Sequence, residues 1–246
     1  NSRQQQRAGR PYRTVNPLAE LLEALGIIAE TDSAARCYTL TGGSIKRSLR
    51  GETESEFYAS YARAIGERFP GRWISKVVAQ ALPVAEQQAF KDAGVRIYHP
   101  NYEVWDARLF EILCPGKAAH VGREEWLTRI LAAREVFGAE NVIPNFVAGI
   151  EMARPHGFES VDDAIASTGE GLEWFMSRGV CPRYTVWCPE PLSDLVRSRV
   201  SQGKALLRTW RDTHRRHRLP VPPGYGPPGP GRALFSVSSF MDVIEA

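Results

Sequence analysis

Apolar positions along this chain follow two periods that take turns. In "PLAELLEALGII" (17–28) they recur three or four apart, which predicts a helix. "RCYTLT" (36–41) is short and rich in β-formers, and predicts a strand. "TESEFYASYARAIGERF" (53–69) is helical again, with Thr53 as N-cap and acidic residues in the first turn. "RWISKVVAQA" (72–81) predicts a strand whose end also fits a helix. "PVAEQQAFKDAG" (83–94) predicts a helix opened by Pro and closed by Gly. "VRIYHPNYEVW" (95–105) is extended. "DARLFEILCPG" (106–116) is a short helix with Asp106 as N-cap and Cys-Pro-Gly as its stop, and "GREEWLTRILAAREVFG" (122–138) is a strongly amphipathic one. "NVIPNFVAGIE" (141–151) is a strand that ends in glycine. "SVDDAIASTGEGLEWFMSRG" (160–179) is a helix between Ser160 and Gly179, and "CPRYTVWCPE" (181–190) is a strand. "PLSDLVRSRVSQGKALLRTWRDTHRRH" (191–217) is the last helix, with a break near Gly203.

This β-α rhythm predicts an α/β fold with a parallel sheet and helices outside it, doubly wound or a barrel. Five strands are visible. The chain opens on a helix where a parallel sheet normally supplies a strand, so a first strand and its loop are expected ahead of that helix. One domain is expected over 1–218. "PVPPGYGPPGPG" holds too many prolines for a helix, so 219–246 is expected to be an extension, whose apolar "ALFSVSSFMDVI" packs back on the body.

Composition narrows the class. The 246 residues are 43% hydrophobic and 24% charged, as in an ordinary soluble globular protein. No apolar run is long enough for a membrane span, and "NSRQQQRAGR" is too polar for a signal peptide. A cytoplasmic location is expected, with no membrane partner. The cysteines, Cys37, Cys114, Cys181 and Cys188, form no close pair, which argues against a zinc ribbon or a disulfide scaffold. Cys37, Cys114 and Cys181 are read as structural. The net charge of +3 is too small to imply nucleic acid. The basic run of Arg208, Arg211, His214, Arg215, Arg216, His217 and Arg218 lacks interleaved aromatics, so a solvated helix face is expected and nucleic acid is not.

In parallel α/β sheets ligands sit beyond the carboxyl ends of the strands. Those ends offer Thr41-Gly42-Gly43-Ser44, then Gln80, then His99, Asn101 and Glu103, then Gly149 and Glu151, then Trp187 and Cys188. The pattern suits a small polar ligand. Neither a P-loop nor a G-x-G-x-x-G opening a helix is present.

The order of these ends, from Pro17 to Pro191, resembles the radical S-adenosylmethionine enzymes, which carry a partial (β/α)6 barrel. "LTGGS" is similar to that family's Gly-Gly-Glu motif, where backbone groups hold the cofactor's methionine amino group. "NYEVWD" looks like its ribose-binding stretch, which would bring Asn101 and Glu103 to the ribose or the methionine end. "NFVAGIE" looks like the segment beside the adenine, and "VWCPEP" like the strand whose backbone reads the adenine edge. Arg123 sits where some members place a basic residue near the methionine carboxylate. The resemblance implies S-adenosylmethionine and a [4Fe-4S] cluster as cofactors, with flavodoxin or ferredoxin as electron donor. It also implies reductive cleavage to a 5′-deoxyadenosyl radical and hydrogen abstraction from a small-molecule substrate. Trp105, Asn145, Arg183 and Trp187 are the candidates for contacting that substrate. Two departures stand out. The C-x-x-x-C-x-x-C motif that holds the cluster is absent, and it belongs after the strand expected ahead of the first helix. Without it the chain is expected not to start the radical step alone. Ser44 also replaces the family's Glu. Two other readings remain: a barrel enzyme of acid/base chemistry using Lys76 or Glu103, and a non-catalytic remnant that binds S-adenosylmethionine or a partner.

Overall fold

The computed structural model describes residues 15–187, 195 and 203–220. In chain order the elements are α1 (Leu18–Thr31), β1 (Cys37–Leu40), α2 (Glu54–Arg68), β2 (Ile74–Ala79), α3 (Val84–Asp92), β3 (Ile97–Pro100), α4 (Ala107–Leu113), α5 (Pro115–His120), α6 (Arg123–Phe137), β4 (Asn145–Ala148), α7 (Val161–Met176), β5 (Arg183–Val186) and α8 (Gly203–His217). The expected α/β rhythm is present throughout. The stretches 221–246 and 188–194, with Cys188, lie outside the described residues.

Every strand pairing is parallel. β1, β2 and β3 form one ladder and β4 and β5 another. Two parallel bridges, Tyr98 to Val142 and Glu103 to Phe146, join them, so the strands follow one another in chain order. β3 stops at Pro100, which has no N–H to continue the ladder. The backbone pairs again only at Tyr102 and Glu103, whose amides both donate to the Asn145 carbonyl.

Helix starts follow the sequence closely. Thr53 makes a reciprocal capping box with Glu56. Asp106 accepts from the Leu109 amide, and Ser160 from those of Asp162 and Asp163. Cys-Pro-Gly differs from expectation: it ends α4 but also opens α5, with Pro115 in the first turn, where a missing N–H costs nothing.

Alternation gives the strands two unlike faces. One carries Leu40, Val77, Tyr98 and Phe146 against the helices. Tyr98 packs on Phe90 of α3 and Phe137 of α6, and Phe146 on Phe175 of α7. The other carries Cys37, Thr39, Lys76, His99, Asn145, Arg183 and Thr185 among the aliphatic Ile74, Val78, Ile97 and Val147. α8 closes on α7: Trp210 is buried and donates to the Pro182 carbonyl at 2.7 Å, while Arg216 and His217 reach Glu173 at 2.8 Å. The basic run is therefore not solvated throughout. His214 is buried and stacks on Trp210 with ring centroids 4.9 Å apart.

Candidate functional site

The loop after β1 divides at Ser44. A Cβ on Gly42 would lie 2.8 Å from the Tyr58 hydroxyl, whereas one on Gly43 would meet nothing within 4 Å. A side chain at Gly42 would therefore have to displace the Tyr58 hydroxyl. Burial first, and the Glu54 charge second, push that tyrosine's hydroxyl up to about 12. Thr41, Gly42 and Gly43 line a hollow of about 150 Å³ beside α1 and α2. Ser44 lines a different cavity, of about 370 Å³. The buried Glu54 carboxylate organises this division. It accepts from the Ile45 amide at 2.6 Å, the Gln80 amide at 2.7 Å and the Gln80 side chain at 2.8 Å. These bonds tie the β1 loop to the end of β2.

The larger cavity lies at the carboxyl ends of the strands and brings together Ser44, Lys46, Gln80, Glu103, Cys114, Lys117, His120 and Ile150. Its size is within the usual range of small-molecule pockets. Glu103 holds a φ of 83°, a left-handed conformation unusual for a side-chain-bearing residue. Hydrogen bonds to both sides fix it: its amide donates to Asn145 O and its carbonyl accepts from Val147 N, each at 2.8 Å. Such conformations cluster at sites where the surroundings over-determine them.

Lys117 of α5 completes the arrangement. Its Nζ lies 2.6 Å from Glu103 Oε1, 2.6 Å from the Asn101 carbonyl and 4.7 Å from the centre of the Trp126 ring. The Asn101 side-chain oxygen is buried without a partner. Burial pushes the Cys114 thiol up to about 11, which Lys117 partly counteracts, so this thiol is protonated at neutral pH. The cavity thus presents a carboxylate, an ammonium, a hydroxyl and an amide to a polar ligand.

The remaining predicted residues fall elsewhere. Arg123 stacks over Trp105 at 4.7 Å and donates to the Trp105 carbonyl at 3.2 Å, apart from the described cavity lining. Burial pushes the neighbouring Tyr102 hydroxyl up, and the Arg123 charge opposes that shift. At the end of β4, Gly149 takes φ 97° and its amide donates to the fully buried Glu151 at 2.7 Å. Thr168 donates to the same carboxylate. Trp187 lies against Gly149, and its amide donates to Ala148 O. Ile150, between Gly149 and Glu151, connects this cluster to the larger cavity.

Of the substrate candidates, Asn145 and Arg183 lie on the face turned away from the helices. Trp105 does not. It packs with Tyr102, Trp174 and Phe175 on the helix side, because the chain has left the β3 ladder before it. Sequence reading missed Lys117 and Glu54. Nothing local marks Lys117, which meets Glu103 only through the turn into α5. Glu54 was read as a first-turn acid, although its place just after the strand-end loop was a usable signal.

Among the described residues, no group of three His, Cys, Asp or Glu side chains could hold a metal ion. Cys37 lies in β1, Cys114 between α4 and α5, and Cys181 ahead of β5. No described helix is long and apolar enough to cross a membrane.

Comparison with solved structures identifies the fold. Methylornithine synthase (PylB) superposes with a TM-score of 0.61 at 12% identity, covering 96% of this chain and 61% of that one. HydG, a maturase of the [FeFe]-hydrogenase, gives 0.56 at 15% identity, covering 87% and 44%. The bacteriochlorophyllide c C-7(1)-hydroxylase of Chlorobaculum limnaeum is 30% identical over 112 residues, which is 46% of this chain and 25% of that protein. The chain thus spans about a quarter of this curated relative's length. No family model matches. The solved neighbours are radical S-adenosylmethionine enzymes, and the resemblance expected from the strand ends holds at the level of the fold.

Proposed function

We propose that this chain is a radical S-adenosylmethionine enzyme or a substantial part of one, and that it binds S-adenosylmethionine in the cavity at the strand ends. The observation that carries this reading is Glu103: a carboxylate in a left-handed backbone conformation, ion-paired to Lys117, on the wall of a 370 Å³ cavity shared with Ser44. Glu103 would accept from the ribose hydroxyls or the methionine ammonium. Lys117 holds that carboxylate in place, and its own charge suits the methionine carboxylate. Ile150 offers an apolar surface to the adenine. The Asn101 side-chain oxygen lies outside the described cavity lining; buried and unmet, it would accept from a ribose hydroxyl that reached past Glu103.

When bound to a reduced cluster, this cofactor supplies a carbon radical that abstracts hydrogen from a substrate; the protein's part is to position both ligands and exclude water. The described residues do not fit a [4Fe-4S] cluster, because they supply no set of three thiolates. No step through a cluster is therefore assigned to them.

Calorimetric titration with S-adenosylmethionine and S-adenosylhomocysteine tests the reading. Binding is expected, and Glu103→Gln should weaken it about tenfold, the usual worth of a hydrogen bond to a charged group. Wild-type binding that Glu103→Gln leaves unchanged would place the ligand elsewhere.

A further inference from the structure

The strand face turned away from the helices mixes the branched aliphatic side chains of an ordinary parallel barrel, here Ile74, Val78, Ile97 and Val147, with polar and charged ones. Register places Lys76, His99, Asn145, Arg183 and Thr185 on it. All but Thr185 are nine-tenths or more buried, and Lys76 completely so. The five strands contribute two cations to this face, Lys76, which is hydrogen-bonded to Cys37, and Arg183. These groups sense one another. Burial, then Arg183 and then Lys76 hold the His99 imidazole neutral. Burial also lowers Lys76, against an opposing contribution from the Cys37 thiol.

The Ile143 backbone lies beside the His99 ring, but neither ring nitrogen makes a well-aligned hydrogen bond, although the residue is only 1% exposed. The Asn145 Oδ1 is likewise buried and unmet, while its Nδ2 donates to Thr185 at 3.1 Å. Buried polar atoms in native proteins are normally paired, and an exception calls for a partner. A neutral imidazole in a positive field is a good donor to an anion. The Asn145 oxygen matches a hydroxyl or amino group beside that anion.

We propose that this face binds an oxyanionic group of the substrate, a carboxylate or a phosphate, with His99 as the direct hydrogen-bond donor and Lys76 and Arg183 supplying the attracting field. Only the word "substrate" rests on the radical S-adenosylmethionine reading; anion binding here does not depend on it. None of these residues is among those lining the strand-end cavity, so the two ligands can be tested one at a time.

The test is a histidine-labelled chain titrated with inorganic phosphate and, separately, with acetate, at constant ionic strength against chloride. The His99 resonance is followed by nuclear magnetic resonance and assigned with His99→Gln. Phosphate or acetate should raise the His99 midpoint by about one pH unit, a tenfold linkage between proton and anion. The more effective anion names the source, and Lys76→Met or Arg183→Met should weaken it about tenfold. A midpoint identical in all three salts, up to tens of millimolar, overturns the proposal. If His99→Gln does not fold, calorimetry of wild type and Lys76→Met with the same anions decides: heat lost in the variant supports the site, and no heat with wild type overturns it. S-adenosylhomocysteine added to the same sample separates the two readings. Its binding without an anion response removes the anion site alone. An anion response without its binding supports the anion site and counts against the cofactor cavity.

Discussion

The two faces of the β-layer are built from the same short strands yet follow opposite rules. Toward the helices, Tyr98 and Phe146 pack on rings from α3, α6 and α7 beside the buried Val77, and the gain is in burial and packing. Away from them, Lys76, His99 and Asn145 are just as hidden but leave polar atoms unmet or charges close together. Packing dominates the first face, whereas the second mixes aliphatic residues such as Val78 and Ile97 with buried polar and charged groups.

The largest expected effect belongs to the packed face. Phe146→Ala should lower unfolding stability by about 3–5 kcal/mol, the usual cost of removing a buried aromatic ring; a loss below 1 kcal/mol in denaturant titration would break the contrast. Next comes the turn that closes β4. Thr168→Val removes one donor to the buried Glu151 and should cost about 1–3 kcal/mol by the same measurement.

The opposite face should show itself through pH. His99 is depressed below its ordinary 6.5, so the unfolded chain binds its proton more readily. Stability is then fully present above 6.5 and falls with pH below it, by up to about 1.4 kcal/mol per pH unit. His214, also depressed, contributes in the same direction. His99→Gln should flatten this slope, while Phe146→Leu should leave it unchanged. Equal slopes in wild type and His99→Gln would remove His99 as its source. The smallest effect is expected at the rim: Arg216→Ala breaks a largely exposed pair with Glu173 and should change stability by no more than about 1 kcal/mol in thermal unfolding.

Much of the fold was legible because its signals are local. Thr53, Asp106 and Ser160 announce helix starts through bonds three residues long, and all three make them. The strand cores are legible from their β-formers. Pro115 misled because proline both ends one helix and opens the next. The candidate site was legible only in outline. Ser44 and Glu103 do share a cavity, but Gly42 lies against the Tyr58 hydroxyl of α2, a contact no strand-end motif encodes. Lys76, His99 and Arg183 each stood out alone. Their convergence depends on parallel register, which sets strands side by side across intervening helices and leaves no trace in any single window.

The chain-order succession of the strands also has a kinetic meaning. Each strand pairs with the one made just before it, never reaching farther back than from Val142 to Tyr98. As the chain leaves the ribosome, every new strand finds its neighbour already waiting, so the layer can grow one β-α unit at a time during synthesis.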